Sequence, residues 1–139
     1  MKGWKNGEVI SEAVISRLSR RLARNRVSVI QNQWAMDILQ RTGDAAQFVR
    51  FRDGSAGILL QSPATRYQIV HELKHYEPWL ASPLAYCAIS KLEREEFVFA
   101  SIQKSNHWRL FNDTERLHAA EYIQYLRKLF RSQPRGSRK

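Results

Sequence analysis

Two short apolar runs, "AQFVRF" (46–51) and "GILLQ" (57–61), flank the turn-forming cluster "RDGSA". Runs of this length around an Asp-Gly turn predict a β-hairpin. The constraint on the fold comes from what surrounds it. Upstream, "RVSVI" (26–30) is short, β-branched and alternating, as a strand would be; downstream, the apolar pattern is helical to the end of the chain. The expected class is therefore α+β: an N-terminal helix, a small antiparallel sheet, then three helices.

The helices can be placed from their signals. Val9, Ile10, Ala13, Val14, Leu18 and Leu22 sit close to helical spacing within 8–24, and "WAMDILQRTG" (34–43) reads as a short helix ended by Gly43. After the hairpin, Ser62-Pro63 and the pair Thr65 with Gln68 are alternative helix starts. Pro78 is expected to end or kink that helix soon after His75, because proline disfavours a helical residue before it and has no N–H to donate. Ser82-Pro83 opens a longer helix of about 83–104. Asn112, Asp113 or Thr114 caps a last one through Phe130, with Leu117, Ala120, Ile123, Leu126 and Phe130 facing inward. No repeat or linker interrupts the chain, which reads as a single domain over 1–139. Residues 131–139 lack apolar content and are expected to form a disordered basic tail.

Composition excludes some classes. With 43% hydrophobic and 11% aromatic residues the chain is too apolar to be disordered, and 139 residues can bury a moderate core. Cys87 is the single cysteine, so no intrachain disulfide forms. "MKGWKNGEVI" has no apolar signal core, and no run is long enough to span a bilayer. The expectation is a soluble chain without membrane association, delivered within a larger polypeptide if it is exported.

Net charge is +10, from 23 Lys and Arg against 13 Asp and Glu. Much of the excess lies in "SRLSRRLARNR" (16–26) and "RKLFRSQPRGSRK" (127–139). These read first as solvated basic flanks. They also sustain a second function class, a nucleic-acid-binding domain, although neither shows the basic and aromatic alternation used for base stacking.

The stretch "TRYQIVHELKHYEPW" (65–79) holds His71-Glu72-Leu73-Lys74-His75. On a helix, His71 and His75 fall one turn apart on one face, which lets two imidazoles share one Zn²⁺ with Glu72 beside the metal. Zinc lowers the pKa of bound water, and the carboxylate alongside can take its proton. The bland reading is two surface histidines on a polar helix, favoured by Lys74 and Glu77. Ile69, Val70 and Leu73 instead point to partial burial. A catalytic zinc also needs a third ligand and an open position. "SKLEREEFVFASI" offers Glu93, Glu95 and Glu96, and a count of 100° per residue places Glu96 inside the stripe of Ala85, Ala88, Ile89, Leu92 and Phe99, with Glu93 on its edge. The bland reading for these is an arginine ion pair.

"SPATRYQIVHELKHYEPW", "SKLEREEFVFASIQKSNHW" and "ERLHAAEYIQYLRKLF" resemble the zincin-like metallopeptidase toxin domains of bacterial polymorphic toxin systems, from about Arg26 to Phe130. The Glu-Arg-Glu run before an aromatic helix is the most specific element. The resemblance implies a zincin fold and a gluzincin-type site with two histidines and a downstream glutamate. It favours Glu93 as that ligand, with Glu96 second on periodicity. In the Glu-x-x-x-Asp or Glu-x-x-x-Asn register of such sites Phe97 fills the last place, so the partner that orients a histidine is missing there or supplied elsewhere. A protein or peptide substrate, a cognate immunity protein and action inside a target cell also follow from the resemblance; the alternatives are an intracellular regulatory metallopeptidase, which only the resemblance separates from a toxin, and the nucleic-acid-binding domain.

Other candidates are weaker. His118, with Tyr122 and Tyr125, could stabilise an oxyanion, but packing explains these rings better. His107 beside Trp108 reads as a surface or capping residue. An extended substrate could pair with the "GILLQ" strand or, alternatively, with "AQFVRF".

Overall fold

The computed structural model describes residues 7–131. It contains seven helices and a three-stranded mixed sheet, an α+β architecture with a helix first. The chain divides into two compact units, one ending at Leu73 and the other beginning at Lys74.

In the first unit, α1 (Glu12–Ala23) starts at Ser11, whose hydroxyl accepts from the Val14 N–H. Ile15 and Leu22 are its buried residues; Val14, expected inside, is 40% exposed. Strand β1 (Val27–Ile30) follows. Helix α2 (Gln33–Thr42) is capped by Asn32 and ended by Gly43, whose φ of 73° is the left-handed conformation a helix terminus favours. Strands β2 (Ala46–Arg50) and β3 (Ala56–Leu60) form the expected hairpin, with Phe48 opposite Ile58. Gly54 (φ 87°) supplies the loop's left-handed residue, and Asp53 Oδ1 accepts from the Ser55 N–H.

The sheet order is β1-β3-β2, with β1 parallel to β3 and β2 antiparallel. All five residues of β3 are buried, which is why "AGILL" reads as a continuous apolar run rather than an alternating one. Leu59 packs with Ala35 and Leu39 of α2. Because β3 is bonded on both sides, it cannot accept a substrate strand. Of the two strands considered for that role, only β2 lies on the outside of the sheet.

Helix α3 (Arg66–Ala81) carries the chain from the first unit into the second. Its start is the Thr65–Gln68 capping box: Gln68 Oε1 accepts from the Thr65 N–H at 3.0 Å, and Thr65 Oγ1 accepts from the Gln68 N–H at 3.3 Å. The helix does not end at Pro78 but runs to Ala81. An interior proline costs about 3 kcal/mol. Buried Tyr76 and Trp79 outweigh it, since aromatic rings bury roughly 150–250 Å² each at about 25 cal/mol per Å².

The helix expected over 83–104 is two helices, α4 (Pro83–Ala88) and α5 (Lys91–Lys104). Ile89 and Ser90 are extended between them (ψ 157° and 164°), and Ser90 caps α5 in a capping box with Glu93. The short α6 (His107–Leu110) leads to α7 (Asp113–Arg131), whose start is closed by a reciprocal Asn112–Glu115 box. Ile123 and Leu126 of α7 face inward as expected, but Leu117 is 57% exposed, and Glu115 and Ala119 take the buried positions. Arg131 closes α7; the rest of the expected basic tail and the first six residues lie outside the described residues. Among the described residues no helix is long and apolar enough to cross a membrane.

Candidate active site

The candidate site is built on α3. His71, Glu72 and His75 each present a ligand atom, and these atoms lie within 4.8 Å of one another. All three side chains are buried, at 4%, 2% and 6% exposure. Two surface histidines on a polar helix would be solvated, so the bland account of the motif does not describe this helix. Burial of ionisable groups is costly unless something compensates it. Glu72 Oε2 is buried with no hydrogen-bond partner among the described residues. A carboxylate oxygen in that situation calls for a cation, a proton or a held water. Lys74 and Glu77, the charges that favoured a surface helix, pair with each other at 3.3 Å, and Glu77 is exposed.

Within the second unit His75 is held through both ring nitrogens. Nδ1 lies 3.0 Å from the Tyr86 hydroxyl of α4, and Nε2 lies 3.1 Å from Glu95 Oε1 of α5. Tyr86 and Glu95 are both 7% exposed.

The three glutamates of α5 have three different surroundings. Glu93 is exposed and turned back on its own helix, its Oε1 accepting from the Ser90 N–H at 3.4 Å. Glu96 accepts from Arg127 Nε and Nη2 at 2.6 and 2.7 Å, the arginine pair that was the bland alternative. That guanidinium holds the Glu96 carboxyl below its ordinary range and raises Arg127 in turn. Glu95 is the one placed against a motif histidine.

The remaining candidates sit as packing would have them. His118 stacks on Tyr122 within α7, centroids 6.4 Å apart and planes 10° from parallel, while Tyr125 is 56% exposed. His107 opens α6, and Trp108 packs edge-on against Phe99. The basic flank is an ordered surface: Arg17, Arg20, Arg21 and Arg24 follow i, i+3, i+4, i+7 spacing along α1 and all are exposed.

Tyr86 is the neighbour of His75 that sequence reasoning missed. Its only signal is an aromatic residue in a Ser-Pro-capped helix, a pattern that packing explains equally well.

Comparison with known proteins adds one finding. A family model described as metallopeptidase toxin 4 matches residues 5–129. No curated protein and no solved structure matches the chain.

Proposed function

The chain belongs to the metallopeptidase toxin 4 family, and from that premise we propose a zinc-dependent peptidase in which His71, His75 and Glu95 hold the metal and Glu72 is the general base. One observation carries this reading: a buried His-Glu-His group whose second histidine already faces a buried glutamate. Two ligands of one tetrahedral zinc, each about 2.0–2.2 Å from it, sit roughly 3.3–3.5 Å apart. His75 Nε2 and Glu95 Oε1, at 3.1 Å, are close to that separation. The donor set suits zinc, which accepts imidazole nitrogen and carboxylate oxygen alike. Glu93 and Glu96, the ligands favoured from the sequence, are engaged in a helix cap and an arginine pair.

Bound zinc would supply a water of near-neutral pKa and polarise the scissile carbonyl. The residues do the rest. Glu72 accepts the proton of the attacking water at a carboxylate oxygen and delivers it to the departing amine nitrogen. Burial keeps Glu72 out of competing hydrogen bonds with bulk water. As an effector module of a bacterial polymorphic toxin, the domain would cleave a protein inside a target cell, and a cognate immunity protein would be its protective partner.

The test has two stages. Elemental analysis of the purified protein should give one zinc per chain, and Glu72→Gln should retain zinc and fold while losing hydrolysis. Expression in a bacterial cytoplasm should then arrest growth with the wild type and not with Glu72→Gln. No stoichiometric zinc after reconstitution would overturn the reading. The arginine stripe of α1 supports a second reading, a nucleic-acid-binding domain with incidental histidines. It requires steeply salt-dependent binding to DNA or RNA and no metal.

A further inference from the structure

We infer that Tyr86 is the positioning residue for His75, holding Nδ1 so that Nε2 is presented to the metal, and that Arg94 holds Tyr86 in place. This deepens the zinc reading and rests on it. A metal-binding histidine needs a hydrogen-bond partner on its second nitrogen, which fixes the ring's orientation and tautomer. Counted from Glu95, the place where a downstream Asp or Asn would provide one is Phe99, which packs edge-on against Trp108 and cannot hydrogen-bond through its side chain. The Tyr86 hydroxyl is instead 3.0 Å from His75 Nδ1, with the two rings at 88° to each other.

A hydroxyl suits this task in a way a carboxylate does not, because it can donate or accept. The Tyr86 hydroxyl, 3.0 Å from Nδ1, can therefore partner that nitrogen whether it carries the ring proton or not. With Nε2 given to a metal, Nδ1–H would donate to the tyrosine oxygen.

The setting of Tyr86 supports the role. It is the buried residue of α4, a six-residue helix that is otherwise exposed, with Leu84 at 86%. Arg94 grips it twice: the guanidinium carbon lies 5.2 Å from the ring centroid, and Nη1 is 3.5 Å from the Tyr86 carbonyl oxygen. A cation over the ring face and a donor to the backbone together restrict both the side chain and the helix that carries it.

Zinc affinity by chelator competition should be measured for wild type, Tyr86→Phe, Arg94→Met and the double variant, alongside thermal unfolding of each metal-free protein. Tyr86→Phe keeps the ring and the arginine contact and deletes only the hydroxyl. It should weaken zinc binding about 10–100-fold, the usual effect of losing an outer partner of a ligand. Arg94→Met should weaken wild type by a smaller factor and add nothing in the Tyr86→Phe background. Nitrogen-15 spectra of His75 should show a hydrogen-bonded Nδ1–H in the zinc-loaded wild type that Tyr86→Phe loses. Wild-type affinity in Tyr86→Phe, with zinc still lost in His75→Ala, would overturn the inference and leave the zinc reading standing. Equal effects of Arg94→Met in both backgrounds would overturn the part assigned to Arg94. A wild type that binds no zinc would remove both readings together.

Discussion

Replacing each glutamate of the 93–96 run in turn should separate ligand from bystander. Structural zinc in small four-ligand sites is bound with about 10–16 kcal/mol, or roughly 2.5–4 kcal/mol per ligand if shared equally. At about 1.4 kcal/mol per tenfold, Glu95→Ala should therefore weaken zinc roughly 10²–10³-fold. Its carboxylate is buried and 3.1 Å from His75 Nε2. Glu93→Ala removes only the side-chain half of the α5 capping box. It should cost about 0.5–1 kcal/mol of stability and leave zinc affinity within a factor of two or three. Glu96→Ala breaks the Arg127 pair at the partly exposed surface and should behave likewise. Competition against a chromophoric chelator gives the affinities, and thermal unfolding of the metal-free proteins gives the stability terms separately. A larger loss of affinity in Glu93→Ala or Glu96→Ala than in Glu95→Ala would refute the reasoning, because it would mean that α5 presents a different face to the metal.

Two further predictions concern the scaffold. Arg127→Met should lower the melting temperature slightly at neutral pH, as expected for a partly exposed bidentate pair. The Glu96 carboxyl is held below its ordinary value, so this stability is present above about pH 4.5 and is lost as pH falls through the lowered folded value. Unfolding measured down to about pH 3 should show wild type and variant converging, and a gap that widens in acid would contradict the pairing. At the centre of the sheet, a Cβ on Gly57 would sit 3.1 Å from Phe51 Cε2 and 3.3 Å from Val49 Cγ2. Gly57→Ala should lower stability by about 1 kcal/mol through overpacking, with Phe51→Leu recovering part of it in a double variant; a higher melting temperature for Gly57→Ala alone would refute this.

The fold was legible where local chemistry decides it. "RDGSA" closes the hairpin, Gly43 ends α2, and Thr65 with Gln68 starts α3 because both side chains satisfy otherwise unpaired N–H groups. The parallel placement of β1 beside β3 was not legible. It is a long-range pairing that leaves no mark on "RVSVI" beyond its strand character. Pro78 misleads for a related reason: its local cost is real, but burial of Tyr76 and Trp79 is a tertiary term that the local sequence does not display.

The site divides in the same way. The His71, Glu72 and His75 spacing is local to one helix, so it could be read directly. The glutamate that faces His75 could not, because its face depends on where α5 begins. A count of 100° per residue from Ala85 assumes an unbroken helix, and that count puts Glu96 inside the apolar stripe. The chain instead leaves helical geometry at Ile89 and Ser90, and the capping box with Glu93 restarts it. Two extended residues reset the phase, so the buried face of α5 becomes Glu95, Val98 and Ile102. Ser90 with Glu93 three residues later is itself a helix-start signal. Reading it as a cap removes Glu93 from the ligand candidates and rotates Glu95 inward in a single step. The same break separates off α4, the short helix on which Tyr86 reaches His75.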